Sequence, residues 1–429
     1  MEKVAIIGAG MAGLSAARTL LDHDVDVELY EASERIGGRA RTVYPPNSSL
    51  PVELGPEFVH GDPELTEKLA RDPSITIDEV EERHHLWRAG ELVPARDVWE
   101  RFGKLVSRVD ASRDESARAY MQRIGMTGDD AELFAGFVEG FYGADLNDIS
   151  MASVAEDGGG AGGDESPAGY RVRDGYGRIV DALGLQVAAA PLHLGCVVEA
   201  IDWRVRPVRI TVRRDGVLDE VLADRVIVTV PLGVLQARAI RFYPALGDHQ
   251  TAIARLAMGQ VAKLVLRLRE PLWHDHAPDR LDFVHGCDGG FPTYWMRSRG
   301  DTHLLTAWAG GRHARALAGE SVDQWIERAV VGFATATGLD RHQLAAAVSA
   351  HYCHDYAADP FTRGAYSYVR AGARDAVAQL ARPLGDTVFF AGEATHVDYE
   401  GTVAGALASG ERAARQVLVR ATILRLRAS

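Results

Sequence analysis

Apolar residues follow two periodicities along this chain. Residues 4–7 (VAII) form a short unbroken apolar run, as a strand buried on both faces requires. After the turn GAGMAG at 8–13, apolar positions recur at helical spacing through 14–21. Residues 25–29 (VDVEL) give a second strand that ends at Tyr30 and Glu31. Strand, turn, helix and strand in so short a span predict the first half of a dinucleotide-binding fold. Residues 64–190 read as mostly helical with solvated amphipathic faces. Within them 155–169 (AEDGGGAGGDESPAG) is Gly-rich and acidic and predicts a mobile surface loop. Strand patterns return at 209–213, at 225–230 (RVIVTV, closed by Pro231) and at 261–268 (VAKLVLRL). A helical region fills 321–349, VFFA at 388–391 is strand-like, and an Ala-rich helix runs from about 403 to 419.

Composition narrows the function classes. A chain of 429 residues is long for one compact domain, so two linked domains are expected. Acidic side chains outnumber basic ones, 60 to 47, for a net charge of −13, which speaks against a nucleic-acid footprint and favours a cationic ligand such as an amine. Cys196, Cys287 and Cys353 are scattered, with no CxxC pair, so neither a disulfide framework nor a metal site is expected. No apolar run approaches a membrane span, and a fold motif begins at Lys3, leaving no room for a leader. Together these features predict a cytoplasmic protein, monomer or homodimer, with no membrane partner.

A lone GxGxxG is common by chance. Here Gly8, Gly10 and Gly13 stand between a buried strand and a helix, which is the context a pyrophosphate needs, and Ala12 lies in the same turn. Glu31 ends the second strand, where a carboxylate accepts hydrogen bonds from ribose hydroxyls and repels a 2′-phosphate. Ala32, Arg35, Gly38 and Arg39 follow in a second Gly-flanked segment whose guanidiniums can neutralise phosphate charge. Near the C-terminus Gly392 and Glu393 close a strand, and the helix from about Thr402 offers a second N-terminal dipole. One such unit serves NAD; two, at opposite ends of the chain, favour FAD.

Four blocks then carry a wider resemblance: KVAIIGAGMAGLSAARTL with YEASERIGGRART, PVELGPEFVHG, MGQVAKLVLRL, and FFAGEATHVDYEGTVAGALASGERAA, with a weaker fifth, YAADPFTRGAYSY. In this order they resemble the flavin-containing amine oxidases, which include monoamine oxidases, polyamine oxidases and histone demethylases. The resemblance implies non-covalent FAD. It places Glu31 and Arg39 on ribose and phosphate, and Gly55, Glu57, Phe58 and Val59 along the flavin ring. Val198 falls near the adenine, with Pro231 on the same wall, and Gly392, Glu393, Gly401, Thr402 and Val403 at the C-terminal contacts. Tyr366 would wall the substrate side, with Tyr356 and Phe361 beneath or beside the ring.

Lys263 is the sharpest case. A Lys in an alternating strand ordinarily faces solvent. The resemblance instead implies a lysine that holds a water against flavin N5, and a buried Lys must be deprotonated or partnered. Two departures matter. Ala365 stands where monoamine oxidases carry the cysteine joined to flavin, and Thr402 stands where their second cage tyrosine does. His60, beside Val59, becomes a candidate for orienting the amine, and Trp295 and Trp308 for the channel wall, although core packing is the commoner role for both tryptophans.

The expected fold class is α/β: a discontinuous Rossmann-like FAD-binding domain (1–75, 191–240 and 385–429) with an inserted α+β substrate-binding domain (76–190 and 241–384) of mixed sheet plus helices. The expected reaction is hydride transfer from an amine α-carbon to flavin, giving an imine, with dioxygen reduced to hydrogen peroxide. Lys263, Tyr366, Thr402 and His60 are its catalytic candidates. A flavin-dependent desaturase and a non-catalytic flavin-binding protein are the alternatives.

Overall fold

The computed structural model describes all residues except 1, 61–62, 96, 157–168, 276–279 and 429; for 275 and 421–428 it describes the backbone alone. The apolar runs at the start, middle and end of the chain meet in one five-stranded, wholly parallel sheet. Its order is Val388–Phe390, Arg225–Val228, Lys3–Ile7, Asp26–Tyr30, Leu192–His193. Continuous apolar runs suit a sheet covered on both faces. Val4 and Ile6 pack with the helices Met11–Leu21, Gly177–Gln186 and Val403–Ala428, while Ala5 and Ile7 pack on the opposite side. That second face is covered by the helices Asp248–Arg255 and Asp375–Leu380 and by a four-stranded sheet containing Val197–Asp202.

The second large sheet has seven strands in the order Val348–Cys353, Val261–Leu268, Thr302–Gly310, Thr293–Arg299, Phe283–His285, His84–Arg88, Glu91–Pro94. It is antiparallel except where Phe283–His285 runs parallel to His84–Arg88. One face carries Leu264, Leu266, Tyr294 and Leu305 against the helix Val322–Thr337. The other carries Lys263, Val265, Trp295 and Trp308 toward the first sheet. Helices Val98–Val106, Ala117–Arg123 and Gly128–Tyr142 pack beside it around Phe102, Tyr120 and Phe134.

Several elements differ from the sequence expectation. The region 64–190 is not mostly helical: Ile77–Val80, His84–Arg88, Glu91–Pro94 and Gly169–Val172 are strands. Each is short, and three of them have partners far along the chain, Ile77–Val80 and Gly169–Val172 in each other and His84–Arg88 in Phe283–His285, so local periodicity could not register them. Of the loop expected at 155–169, residues 155–156 end a helix and 169 begins a strand, while 157–168 lie outside the described residues. The region 321–349 is two helices, Val322–Thr337 and Arg341–Ala347, parted by left-handed Gly338. The segment Gly177–Gln186 and the helices Asp248–Arg255 and Asp375–Leu380 pack on the five-stranded sheet. We propose that the domain division runs accordingly, with these three on the nucleotide-binding side.

The first and last helices cross at very short range. Arg18, 3% exposed, donates to the Leu69 carbonyl (2.7 Å) and to Glu411 (2.9 Å). At Gly410 a Cβ would lie 2.2 Å from the Ala12 carbonyl oxygen, so only glycine permits the crossing. Gly410→Val should therefore cost about 1–3 kcal/mol of stability and loosen the turn it backs. A lower thermal midpoint with weaker flavin retention is the expected result, and an unchanged midpoint would contradict so close a crossing.

Candidate active site

Between the two sheets lies a cavity of about 1310 Å³. A drug-sized ligand fills roughly 300–1,000 Å³, so this one has room for a large cofactor and a substrate. The residues drawn from the sequence converge on it. Gly8, Gly10 and Ala12 line one end with Glu31, Ala32, Arg35, Gly38, Arg39 and Val198. Gly55, Glu57, Phe58, Val59, His60, Pro231 and Lys263 line its length, with Tyr356, Phe361, Tyr366, Gly392, Glu393, Gly401, Thr402 and Val403. Gly13 alone stands behind the wall: a Cβ there would be 2.0 Å from the Gly8 carbonyl oxygen, so it permits the turn rather than touching a ligand.

The nucleotide end has the polarity a dinucleotide needs. No side chain caps helix Met11–Leu21 at Gly10, which leaves first-turn N–H groups for phosphate. Glu31 accepts from the Ala9 N–H (2.7 Å) and the Ser33 N–H (2.9 Å), with lone-pair capacity left for ribose. The guanidiniums are less free than the sequence implies. Arg39 is paired with buried Glu393 (2.7 Å) and donates to the Ala365 carbonyl (2.7 Å), while Arg35 curls onto the carbonyls of Ile36 and Gly38. The uncapped first turn of Met11–Leu21 is thus the positive group at this end that no side chain has already engaged. An uncapped helix end, an anchored carboxylate and a cavity of this size together fit a flavin dinucleotide, and Ala365, with no thiol, offers no covalent link.

At the other end Lys263 is buried, 4% exposed, in the interior strand Val261–Leu268. It does not face solvent because that strand is flanked on both edges and covered on both faces. Its Nζ donates to Glu57 Oε2 (3.0 Å) and to the Gly55 carbonyl (3.2 Å), and sits 5.3 Å from the Trp295 ring centre. Trp295 Nε1 donates to the same Glu57 oxygen (3.1 Å). Burial alone would raise the Glu57 carboxyl, but the charges of Lys263, Arg171 and Arg297 outweigh it and hold the group at about 2.

Tyr366 donates its hydroxyl to the Phe141 carbonyl (2.7 Å), and burial lifts its phenol above the usual range. Thr402, expected as a catalytic residue, has its hydroxyl committed: it donates to the Tyr399 carbonyl (2.8 Å) and accepts from the Gly405 N–H (3.0 Å). It caps the last helix instead of presenting a group to substrate. The His60 ring borders the open cavity, 4.8 Å from Phe141, and the surrounding protein lowers its imidazole to about 4. Tyr356 is buried and donates to the Arg39 carbonyl (3.0 Å), whereas Phe361 sits at the rim, 37% exposed. Trp295 and Trp308 both line the cavity.

Sequence reasoning missed Arg171 and Arg297, which face Glu57, and the aromatic wall of Trp99, Phe137, Phe141 and Phe283. None lies in a motif; each arrives by long-range pairing or helix packing. It also missed Glu53, buried behind the site, whose carboxylate accepts from Thr42 Oγ1 and the Tyr176 N–H (2.7 Å each).

The chain matches the model of the flavin containing amine oxidoreductases over residues 11–124 and 93–418. It belongs to that family, and its cofactor is accordingly a flavin. Among similar sequences, polyamine oxidase 3 of Oryza sativa subsp. japonica is 29% identical over 97% of this chain and 89% of that protein. Lysine-specific histone demethylase 1 homolog 3 of Arabidopsis thaliana is 27% identical over 97% of this chain, which spans only 30% of that protein. Among solved structures, putrescine oxidase bound to putrescine superposes with a TM-score of 0.79 at 21% identity, covering 97% of this chain and 99% of that one. Cyclohexylamine oxidase from Brevibacterium oxydans IH-35A gives 0.78 at 19% identity, covering 98% and 99%. Both share the two-domain fold.

Glu53 makes stability depend on pH. Burial raises its carboxyl to about 7 against the hydrogen bonds from Thr42 and Tyr176 and the charge of Lys263. A raised folded-state value means the folded chain binds this proton more tightly than the unfolded chain. The group thus favours folding below the ordinary carboxylate range, and that contribution disappears as pH climbs toward about 7. Glu53→Gln should match wild type near about pH 5 and exceed it near about pH 8, as thermal midpoints at the two pH values would show.

Proposed function

We propose that this enzyme oxidises primary or secondary amines with an apolar or aromatic body, with dioxygen taking the two electrons and leaving as hydrogen peroxide. The carrying observation is the wall beyond Lys263, where Phe58, Phe137, Phe141, Phe283 and Trp295 surround His60 and His285. Desolvation by the surrounding protein lowers both imidazoles, His60 to about 4 although its ring is open to the cavity and half-buried His285 to about 3, the neighbouring histidines adding to the effect at His285. An amine moved from water into such surroundings loses the advantage of its ammonium form, so the lone pair needed for oxidation becomes available. When bound, the flavin supplies a hydride acceptor for the carbon attached to that nitrogen.

The chain's residues orient and polarise. Tyr366, anchored through Phe141, fixes one side of the amine site. Lys263 uses two of its three N–H groups on Gly55 and Glu57, which leaves a cationic donor on the cavity wall where negative charge builds during electron transfer. The N-terminus of the last helix, capped by Thr402, adds a positive dipole end. The free thiols of Cys196, Cys287 and Cys353 support a reducing, cytoplasmic setting.

A polyamine is the second reading. Glu79, Glu82 and Glu156 line the outer part of the cavity, and the net charge of −13 favours polycations. An anaerobic titration with aromatic monoamines, aliphatic diamines, polyamines and amino acids separates the two. Bleaching of the flavin bands by aromatic monoamines at the lowest concentration is expected. Preferential bleaching by spermidine or spermine would transfer the assignment to polyamines, and bleaching by none would remove the amine-oxidase reading.

A further inference from the structure

A carboxylate beside the cavity lysine is the least ordinary feature of the site. Glu57 leaves the short strand Val52–Glu53 by way of Gly55 and Pro56, and its side chain turns inward, 7% exposed. Four donors from three other segments meet it there. Lys263 Nζ and Trp295 Nε1 reach Oε2 at 3.0 and 3.1 Å, and Arg171 Nε and Arg297 Nη1 face Oε1 at 3.5 Å each. The strand pairing explains the assembly. Lys263 opposes Trp308, which opposes Thr293, and Trp295 and Arg297 continue from Thr293 along the same face. Arg171 comes from Gly169–Val172, which bridges to Phe58.

The buried Lys263 and Arg171 and the part-buried Arg297 would repel one another without the carboxylate they share. An ammonium buried beside other cations is disfavoured unless an anion meets it. The remaining charged neighbours do not replace Glu57. Glu53, on the adjoining strand, interacts with Lys263, but burial keeps it neutral until about pH 7, so below that it supplies no anion. Glu82 lies on the far side of Arg171, 3.6 Å from its Nη2 and 3.7 Å from His84. Arg171 and Arg297 in turn keep Glu57 ionised whatever Lys263 does.

We propose that Glu57 is a positioning residue that holds Lys263 on the cavity wall as a permanent ammonium, making the Lys263-dependent step insensitive to pH across the neutral range. The inference rests on the reading of Lys263 given under Proposed function. The step concerned is reoxidation, in which two electrons and two protons pass to dioxygen to give hydrogen peroxide. A fixed cation assists it by stabilising charge on the way, and that assistance ends if the lysine deprotonates.

The test uses flavin-loaded wild type, Glu57→Gln, Glu57→Asp, Lys263→Met and the Glu57→Gln/Lys263→Met double variant, each also made in a Glu53→Gln background that removes the neighbouring carboxyl held at about 7. Each is reduced with dithionite, so no amine is involved, then mixed with oxygenated buffer across pH, and the flavin absorbance spectrum is titrated in parallel. In the Glu53→Gln background, with Glu57 and Lys263 intact, reoxidation is expected to be constant over about pH 6–9 with no spectral titration. Glu57→Gln should acquire a fall of about tenfold or more within that window, the range to which burial brings an uncompensated lysine, with a matching spectral change. The double variant should be slow and flat, like Lys263→Met. Glu57→Asp keeps a counter-charge at a shorter reach and should show the fall at a higher pH than Glu57→Gln does, which carries the test should Glu57→Gln not fold. A flat profile in the Glu57 variants with slow Lys263→Met overturns the role given to Glu57 alone. Lys263→Met reoxidising as fast as wild type overturns the role of Lys263 and this inference with it.

Discussion

A lysine turned inward from the middle of a sheet has to be met by an anion, and the architecture of the site follows from that demand. Lys263 belongs to the seven-stranded sheet, while Glu57 belongs to the loop that leaves the nucleotide-binding side. Their contact at 3.0 Å ties the two halves together across the cavity. Trp295, Arg171 and Arg297 then close around the carboxylate, each from a different segment or register position. Removing a charged partner from such a cluster leaves an uncompensated buried charge, which costs more than the pair contributes when intact. The cluster therefore fixes the spacing of the two sheets as well as the polarity of one wall.

The other wall depends on close approach of backbone to backbone. The turn after the first strand is backed from within by Gly13 against Gly8 and from outside by Gly410 against Ala12. The last helix thus holds the phosphate-binding end while its own N-terminus, capped by Thr402, borders the cavity at the opposite side of the crossing. One helix serves both ends of a dinucleotide site. This explains why the C-terminal segment, remote in sequence, belongs with the first thirty-odd residues (a βα unit of about 30 residues) in a single layer.

Charge is distributed unevenly along the cavity. At the nucleotide end most cationic side chains are already engaged, Arg39 by Glu393 and Arg35 by its own loop. Backbone N–H groups and helix dipoles supply the positive potential there. Beyond Lys263 the wall turns aromatic and the histidines are neutral. Lys263 stands against the segment 55–59, held there by the Gly55 carbonyl and Glu57.

The sequence by itself determined the parts whose signal is local. The glycines of residues 8–13, Glu31, the lysine strand at 261–268 and the helix from Val403 could each be read because a turn, a buried strand or a helix cap constrains adjacent residues. Their convergence on one cavity followed from the order of the blocks. Tertiary structure decided the rest. Of the four strands within 64–190, three pair with distant segments, and Glu91–Pro94 joins the sheet only as the hairpin partner of one of them. Arg171, Arg297 and the aromatic wall reach the site through strand register and helix packing, for which no local pattern exists. Thr402 was legible as a position but not as a cap, since its hydroxyl is spent on partners three residues away on either side. Glu57 was legible as part of a flavin-lining segment, yet its role as the counter-ion of Lys263 spans 206 residues of chain and arises only where two sheets face each other.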